Sequence, residues 1–262
     1  MRILITGAAR AIGAATATEL ARAGHEVVAT ARDVTTLDHL DVARRLPLDV
    51  TNDDSIAAAL EAAGDLDAVV NNAGLNGKGP LEDYPFEEIR AVFETNTFGP
   101  LRLLRPLLPA WRARGSGVVV NVSSVQGRVA TPLEGAYAAS KYALEAFSET
   151  LRHELGHFGI RIVIVEPGYI APGMKGVGRH LGDPAYAGLW DQWEGIDTRV
   201  TGTAGRSDPA IVATAIRQAI EDPTTPLRVP VGADALMVLG ARSTLDDASF
   251  EAAMRQTLGL TW

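Results

Sequence analysis

The chain contains no cysteine, which excludes disulfide bonds, cysteine-ligated metals and thiol nucleophiles. Aromatic residues make up only 6% of the 262 residues, and no apolar run approaches the roughly 18 residues needed to cross a bilayer. Basic residues are outnumbered, with 24 lysines and arginines against 32 aspartates and glutamates. Because the net charge is −8, we expect neither a nucleic-acid partner nor a membrane partner.

What remains is a composition typical of a globular protein, with 47% hydrophobic and 21% charged residues. The length suits one α/β domain, and we predict a single domain over residues 1–262. An apolar strand pattern begins at residue 2, so we expect no secretory signal. Together with the absence of cysteine, this favours a cytoplasmic location.

Strand and helix patterns alternate along the chain, which is typical of parallel βαβ units. The apolar runs lie at 2–6, 26–31, 45–48, 66–71, 117–122, 160–165 and 227–231. The helical patterns lie at about 12–23, 53–63, 86–110, 136–157 and 208–221. They predict a doubly wound Rossmann-type α/β fold, with a seven-stranded parallel sheet and helices on both faces. Pro230 falls within the last run, which predicts that this strand lies at an edge.

A glycine-containing turn separates the first strand from the first helix, in Gly7-Ala-Ala-Arg10-Ala-Ile-Gly13. Glycine lets the backbone approach a pyrophosphate closely, and a helix N-terminus favours negative charge. Ala11 stands where the usual dinucleotide fingerprint has glycine. Taken alone, the segment is compatible with an ordinary strand–helix turn.

Tyr137 and Lys141 are four residues apart in Tyr137-Ala-Ala-Ser-Lys141, so they share one face of a helix. A neighbouring ammonium favours the phenolate and should lower the pKa of Tyr137 towards neutrality. Ser124, thirteen residues upstream, would then hold a substrate oxygen beside the phenol. On its own the pair is weak evidence and is more typical of an ordinary helix surface, because tyrosine and lysine are common there.

Three further motifs follow in order: Asn71-Asn-Ala-Gly74 after a strand, Asn96 in a helix, and Pro167-Gly168 after another strand. Together with the first two, they resemble the Tyr-x-x-x-Lys type of the short-chain dehydrogenase/reductase family. The resemblance implies hydride transfer between nicotinamide and a carbonyl or alcohol carbon, with Tyr137 as the general acid and base. It further implies that Lys141 binds the nicotinamide ribose and that Asn96 supports a water leading to it.

The same resemblance implies a set of cofactor contacts distributed over much of the chain. They are Gly7, Ala9, Arg10, Ile12, Gly13, Arg32, Asp49, Val50, Asn72, Ala73, Gly74, Tyr137, Lys141, Pro167, Gly168 and Ile170. Arg32 follows the second strand, where an NAD-preferring relative carries an acid one position earlier, and Arg10 resembles a second 2′-phosphate ligand. We therefore favour NADP over NAD, although Asp33 is an alternative ribose ligand.

Residues 168–207 form the expected substrate lid, within which Tyr186, Trp190 and Trp193 recur at helical spacing. We expect this face to close over a lipophilic ketone, aldehyde or alcohol. The alternative is that it packs against the domain or a subunit partner. The C-terminal part, with an amphipathic stretch at 245–258, resembles the hydroxysteroid and retinol dehydrogenase branch. A monomer, dimer or tetramer is compatible with it.

Two other interpretations are weaker. His153-Glu-Leu-Gly-His157 matches a zinc-protease pattern, but Gly156 and Gly159 interrupt the helix and no third ligand stands out. We expect no metal site. A non-catalytic nucleotide sensor on the same fold is the alternative to an enzyme. The intact Asn96, Ser124, Tyr137 and Lys141 set favours the enzyme, because a sensor has no chemical need for a tuned phenol.

Overall fold

A computed structural model describes residues 1–174 and 176–262. The strands are β1 (Arg2–Ile5), β2 (Glu26–Ala31), β3 (Arg44–Pro47), β4 (Ala68–Asn71), β5 (Asn76–Lys78), β6 (Gly117–Val122), β7 (Ile160–Pro167), β8 (Gly176–Arg179) and β9 (Arg228–Val231). The α-helices are α1 (Ala11–Arg22), α2 (Asp53–Ala63), α3 (Phe86–Phe93), α4 (Gly99–Leu104), α5 (Leu108–Arg114), α6 (Gly135–Leu155), α7 (Ala187–Trp193), α8 (Ile196–Thr201), α9 (Pro209–Glu221), α10 (Ala233–Thr244) and α11 (Asp247–Leu258).

The main sheet has seven parallel strands in the order β3-β2-β1-β4-β6-β7-β9. The predicted seven-stranded doubly wound fold is confirmed. The strand order reverses direction after β1, and the carboxyl ends on either side of such a switch form a ligand crevice. β9 is an edge strand, as predicted from Pro230, which has no N–H to donate to a further strand. Pro230 lies opposite Glu166 of β7.

Alternate residues of the strands enter two hydrophobic cores, one on each face of the sheet. In β1, Ile3 and Ile5 belong to one core, which also contains residues of α1 and α9. Leu4 points into the other core, together with residues of α2 and the buried Trp111 of α5. Burial on both faces explains why the inner strands β1, β4, β6 and β7 are largely apolar runs, whereas the edge strand β3 is mostly exposed.

The prediction of one helix over 86–110 is wrong. The chain forms α3, a π-helical turn over Glu94–Phe98, α4 and α5 in succession. Pro106 has no N–H to continue the helix, and α4 ends at Leu104. The wide turn carries Asn96, and π-turns of this kind are frequent at functional sites.

A smaller layer lies above the carboxyl edge of the main sheet. β5 and β8 form a two-stranded parallel sheet, which the sequence analysis missed. A third hydrophobic cluster joins α7, α8 and α11 through Trp190, Trp193, Ile196 and Leu258. No helix in the described residues has the length and apolarity to span a membrane.

Candidate active site

The glycine turn after β1 is held by close backbone packing. Gly7 has φ +66°, and a Cβ there would lie 2.9 Å from the Cα of Ala73. A Cβ on Gly13 would lie 2.7 Å from the Asn72 side-chain nitrogen, so the first turn of α1 sits directly against the loop after β4. Ala11 adopts φ +47°, a left-handed conformation that favours glycine. The position where the fingerprint has glycine is therefore backbone-strained here.

Polar contacts lock this turn to the loop after β4. The Thr6 hydroxyl accepts hydrogen bonds from the backbone N–H groups of Asn72 and Ala73, at 3.0 and 2.9 Å. The Asn72 amide donates to the carbonyls of Thr6 and Gly7, both at 3.0 Å. Thr6 was missed by the sequence analysis, since a threonine at a strand end carries no distinctive signal.

A cavity of about 740 Å³ opens along the carboxyl edge of the sheet. The predicted residues that line it are Gly7, Ala9, Arg10, Ile12, Arg32, Asp49, Val50, Asn72, Ala73, Gly74, Ser124, Tyr137, Lys141, Pro167, Gly168 and Ile170. Gly13 and Asn96 do not line the cavity, but they contact residues that do. The N-terminus of α1 faces this cavity, and no side chain caps the helix.

Tyr137 and Lys141 lie one turn apart near the start of α6, and both are buried. The Lys141 ammonium lies 5.8 Å from the centre of the Tyr137 ring and donates to the Val122 carbonyl at 2.8 Å. Ser124 follows β6 on the facing side, where its hydroxyl also accepts from the Gln126 N–H at 3.1 Å. The predicted cluster therefore forms at one cavity wall.

Burial dominates the acidity of this cluster. It raises the pKa of Tyr137 well above its usual value, although the hydrogen bond with Ser124 offsets part of the rise. Burial also lowers the pKa of Lys141 to about 8, against the opposing effect of Glu145. The expected lowering of the Tyr137 pKa by Lys141 is therefore not what the structure gives. Desolvation of the phenolate is the largest cause of the rise in the Tyr137 pKa, because the ring is enclosed, and the charge of Glu134 adds to it.

Asn96 is completely buried in the π-helical turn. Its side-chain oxygen accepts from the Leu75 N–H at 2.7 Å, and its nitrogen donates to the Leu75 carbonyl at 2.8 Å. The same nitrogen donates to the Ser140 hydroxyl at 2.9 Å. Asn96 thus ties the loop after β4 to α6, the helix that carries Tyr137 and Lys141.

At the opposite end of the cavity, Arg32 is exposed just beyond β2. Asp33 is engaged locally, since its carboxylate accepts from the Thr35 N–H and hydroxyl at 3.1 and 2.7 Å. Arg10 donates to the carbonyl of Gly173 in the lid segment. Two guanidinium groups thus border this end: that of Arg32 is exposed to solvent, and that of Arg10 is bonded to the loop after β7.

The described parts of the lid segment, 168–174 and 176–207, pack against the body of the protein. Trp190 and Trp193 are buried in the third cluster, with Arg179 stacked 4.6 Å over the Trp190 ring. Tyr186 is half-buried against the same cluster, and its hydroxyl donates to Glu82 at 2.6 Å. Apolar lining of the cavity comes from this segment, the loop after β6, and α11: Val129, Met174, Trp193, Val200, Met254 and Leu258. The aromatic face therefore forms a local core and one cavity wall.

Asp234, at the start of α10, positions the loop that follows β7. Its carboxylate accepts from the Tyr169 N–H at 2.6 Å and lies so close to Gly168 that a Cβ there would collide with it. Ile170 is bridged to Ser207. The sequence analysis missed Asp234, which lies outside the motif-bearing region and reaches the site only through the tertiary fold.

A buried charge cluster lies directly behind these residues. Glu166 of β7 is completely buried, and burial together with nearby Glu145 raises its pKa to about 7. Arg228 approaches Glu145 at 2.9 Å and Glu166 at 3.6 Å. Neither Glu166 oxygen accepts a hydrogen bond from any residue that the structure describes.

The zinc-protease pattern at the end of α6 does not form part of a metal-binding cluster in residues 1–174 and 176–262. Within these ranges, no group of three or more His, Asp or Glu side chains is arranged to hold an ion. His153 and His157 are exposed at the end of α6 and in the short turn after it.

Comparisons with known proteins agree with this geometry. The sequence model of the short chain dehydrogenases matches residues 1–180. The chain belongs to the short-chain dehydrogenase family. Human retinol dehydrogenase 8 is 38% identical over 187 residues, which cover 66% of this chain and 60% of that protein.

Two solved structures match this short-chain dehydrogenase along its full length. A short-chain dehydrogenase from Streptomyces avermitilis is 37% identical with a TM-score of 0.83, covering 100% of this chain and 99% of its own. One from Burkholderia cenocepacia, in complex with NADP, is 28% identical with a TM-score of 0.75, covering 100% and 98%. The protein is thus an oxidoreductase that acts on CH–OH or C=O groups with a nicotinamide cofactor.

Proposed function

We propose that this short-chain dehydrogenase transfers a hydride between NADP(H) and the carbonyl or alcohol carbon of a lipophilic substrate, with Tyr137 as the proton donor and acceptor. The observation that carries the proposal is the single cavity that joins Tyr137, Ser124 and Lys141 to the glycine turn and Arg32. In the proposal, the chain works as one domain over 1–262, and residues 168–207 act as its substrate lid.

The cavity fits a dinucleotide. The uncapped N-terminus of α1 offers backbone N–H groups and a positive dipole end to a pyrophosphate. Asp49 and Val50 line the adenine end, and Asn72, Ala73 and Gly74 continue the wall towards Tyr137. Bound cofactor would supply or accept the hydride. Lys141 would hold the nicotinamide ribose, and Pro167, Gly168 and Ile170 would border the nicotinamide ring.

The side chains then handle the proton. During reduction, negative charge develops on the carbonyl oxygen of the substrate, and the Tyr137 hydroxyl donates a proton to that oxygen. Ser124 donates a hydrogen bond to the same oxygen and stabilises the developing charge. During oxidation the phenolate removes the proton from the alcohol. Asn96 acts indirectly, by holding α6 against the loop after β4.

A preference for NADP follows from the charges at the adenine end. Arg32 is exposed beside the cavity, whereas Asp33 already accepts two hydrogen bonds from Thr35. A 2′-phosphate would pair with Arg32, and with Arg10 if that side chain leaves the Gly173 carbonyl. Charge-assisted contacts of this kind are worth about 1.5–3 kcal/mol each.

Arg32→Ser is expected to lower kcat/KM for NADPH by about 10- to 100-fold and to change that for NADH by less than about threefold, because only NADPH carries the 2′-phosphate. Arg105→Ser removes an exposed guanidinium at the end of α4 and serves as the matched control. Both cofactors are assayed at saturating ketone. Equal losses with NADPH and NADH would contradict the assigned contact.

A lipophilic substrate is favoured by the lining from the lid segment, the loop after β6, and α11. The name of the human relative, retinol dehydrogenase 8, is consistent with an extended apolar substrate. The direct test is oxidation of NADPH and NADH against a panel of ketones and aldehydes of increasing chain length. Turnover that rises with apolar length supports the proposal, and turnover confined to small hydrophilic carbonyls contradicts the lipophilic assignment.

A further inference from the structure

We propose that Glu134 is a positioning residue for proton transfer: its buried carboxylate, three residues before Tyr137 in the wall of the same cavity, adds to burial in keeping the phenol protonated, the form that carbonyl reduction requires. The inference rests on the proposed function of Tyr137 and adds a residue that none of the family motifs contains. It concerns the buried entrance to α6, where sequence and backbone combine to place a negative charge beside the proton donor.

The backbone is strained immediately before Glu134. Leu133 adopts φ +62°, a left-handed conformation that a branched side chain seldom takes. Its side chain is buried in the third hydrophobic cluster, and its carbonyl accepts from the Gly79 N–H at 2.8 Å. Strain of this kind persists only where the surroundings over-determine it, and it concentrates at functional sites.

Glu134 itself is a buried acceptor with three donors. The Lys78 ammonium lies 3.1 Å and the Asn76 amide nitrogen 3.3 Å from one oxygen, while the Gln126 amide donates to the other. The side chain does not cap α6, although it stands at the N-cap position. Its contacts therefore connect β5, the turn after β6 and the start of α6 around the cavity that Glu134 also lines.

The negative charge acts on Tyr137. Glu134 and Tyr137 line the same cavity, and the charge of Glu134 adds to burial in raising the pKa of Tyr137. Other charged or titratable groups near this part of the cavity belong to elements packed against it, and they are Lys78, Lys141, Tyr169, Arg206 and Asp234. Among the described residues, the carboxylate that raises the Tyr137 pKa through its charge is Glu134.

Lys78 moderates this effect, because its ammonium partly neutralises the carboxylate. It is more exposed than Glu134, with 42% of its side chain accessible against 6%, so solvent weakens its field more. Glu134 and Lys78 therefore have opposite effects on the pKa of Tyr137, and the effect of Glu134 is the larger. Carbonyl reduction consumes the Tyr137 proton, and the phenol remains protonated at neutral and mildly alkaline pH. Alcohol oxidation needs the Tyr137 phenolate, so its rate increases only as the pH rises.

The test compares pH profiles of kcat/KM for alcohol oxidation. Glu134→Gln keeps the size of the side chain and its acceptor oxygen, and should move the midpoint down by about 0.5–1 pH unit, raising the rate below the midpoint by roughly three- to tenfold. Lys78→Met should move the midpoint upward. Glu154→Gln removes an equal charge about 30 Å further along the same helix and should leave the profile unchanged.

A second readout does not depend on turnover. Tyrosinate absorbance is titrated in the NADP⁺ complex, and subtraction of the same titration in Tyr137→Phe isolates Tyr137. Its midpoint should fall in Glu134→Gln and rise in Lys78→Met. A midpoint unchanged in a folded Glu134→Gln, or displaced equally by Glu154→Gln, overturns the inference. If Glu134→Gln fails to fold, an unchanged midpoint in Lys78→Met overturns it. If the wild-type protein turns over none of the ketones and alcohols, the proposed function is contradicted. The tyrosinate titration does not require turnover, so it still tests the effect of Glu134 on Tyr137.

Discussion

Tyr137→Phe is expected to lower kcat for NADPH-dependent ketone reduction by about 10²–10⁴-fold, the usual contribution of a positioned general acid. The ring fills the same buried space, so the fold and the affinity for cofactor should change little. The measurement is steady-state kinetics with a lipophilic ketone, together with NADPH binding followed by fluorescence. If NADPH still binds with wild-type affinity, the lower kcat is due to loss of the proton donor and not to damage to the cofactor site.

Tyr142→Phe is the matched control for this variant. Tyr142 lies five residues further along α6 and is exposed, so removal of its hydroxyl should change kcat by less than twofold. Ser124→Ala should fall between the two, since it removes one hydrogen bond to the reacting oxygen and leaves the acid in place. Turnover that survives intact in Tyr137→Phe would remove the phenol from the mechanism.

Glu166→Gln is expected to stabilise the protein by about 2–3 kcal/mol at pH 8.5, with little effect near pH 5. Glu166 is completely buried, and its pKa rises to about 7 in the folded chain from an ordinary value of 4.5. A carboxyl with a raised folded pKa stabilises the fold while protonated. That contribution is complete below the unfolded pKa and is lost as the pH rises towards 7.

Urea unfolding at several pH values between 5 and 8.5 measures this difference. Arg228 keeps Glu145 and Glu149 as partners at 2.9 and 2.6 Å, and Arg128, whose guanidinium lies 3.9 Å from Glu166, keeps access to solvent. Glu61→Gln, at an exposed position of α2, is the control and should give the wild-type pH dependence. A stability difference that stays constant with pH, or a destabilised Glu166→Gln at pH 8.5, would contradict the assignment.

The inner strands of the main sheet were predictable because they are buried on both faces and therefore appear as short apolar runs. In the helix predicted over 86–110, Pro106 was a visible signal for the end of α4, whereas the π-helical turn over Glu94–Phe98 has no local sequence signal. β5 and β8 are glycine-containing and lack an apolar pattern. Their pairing depends on contacts between distant segments.

For the site, motif spacing correctly placed Tyr137, Lys141 and Ser124 at one cavity wall. The sign of the change in the Tyr137 pKa was wrong, because the sequence shows the neighbouring cation but not how completely the fold encloses the ring. Arg10 illustrates a similar limit: its position in the glycine turn was predictable, whereas its bond to the Gly173 carbonyl depends on where the loop after β7 lies. Asp234 and Glu134 act from segments that no local pattern marks.

The central claim is that one cavity places a nicotinamide ring beside the Tyr137 hydroxyl. A crystal structure of the binary complex with NADP⁺ tests it most directly. The account predicts the pyrophosphate at the N-terminus of α1, the 2′-phosphate on Arg32, and nicotinamide C4 open to the space between Tyr137 and Ser124. A nicotinamide ring bound away from Tyr137, or a dinucleotide bound outside this cavity, would contradict it.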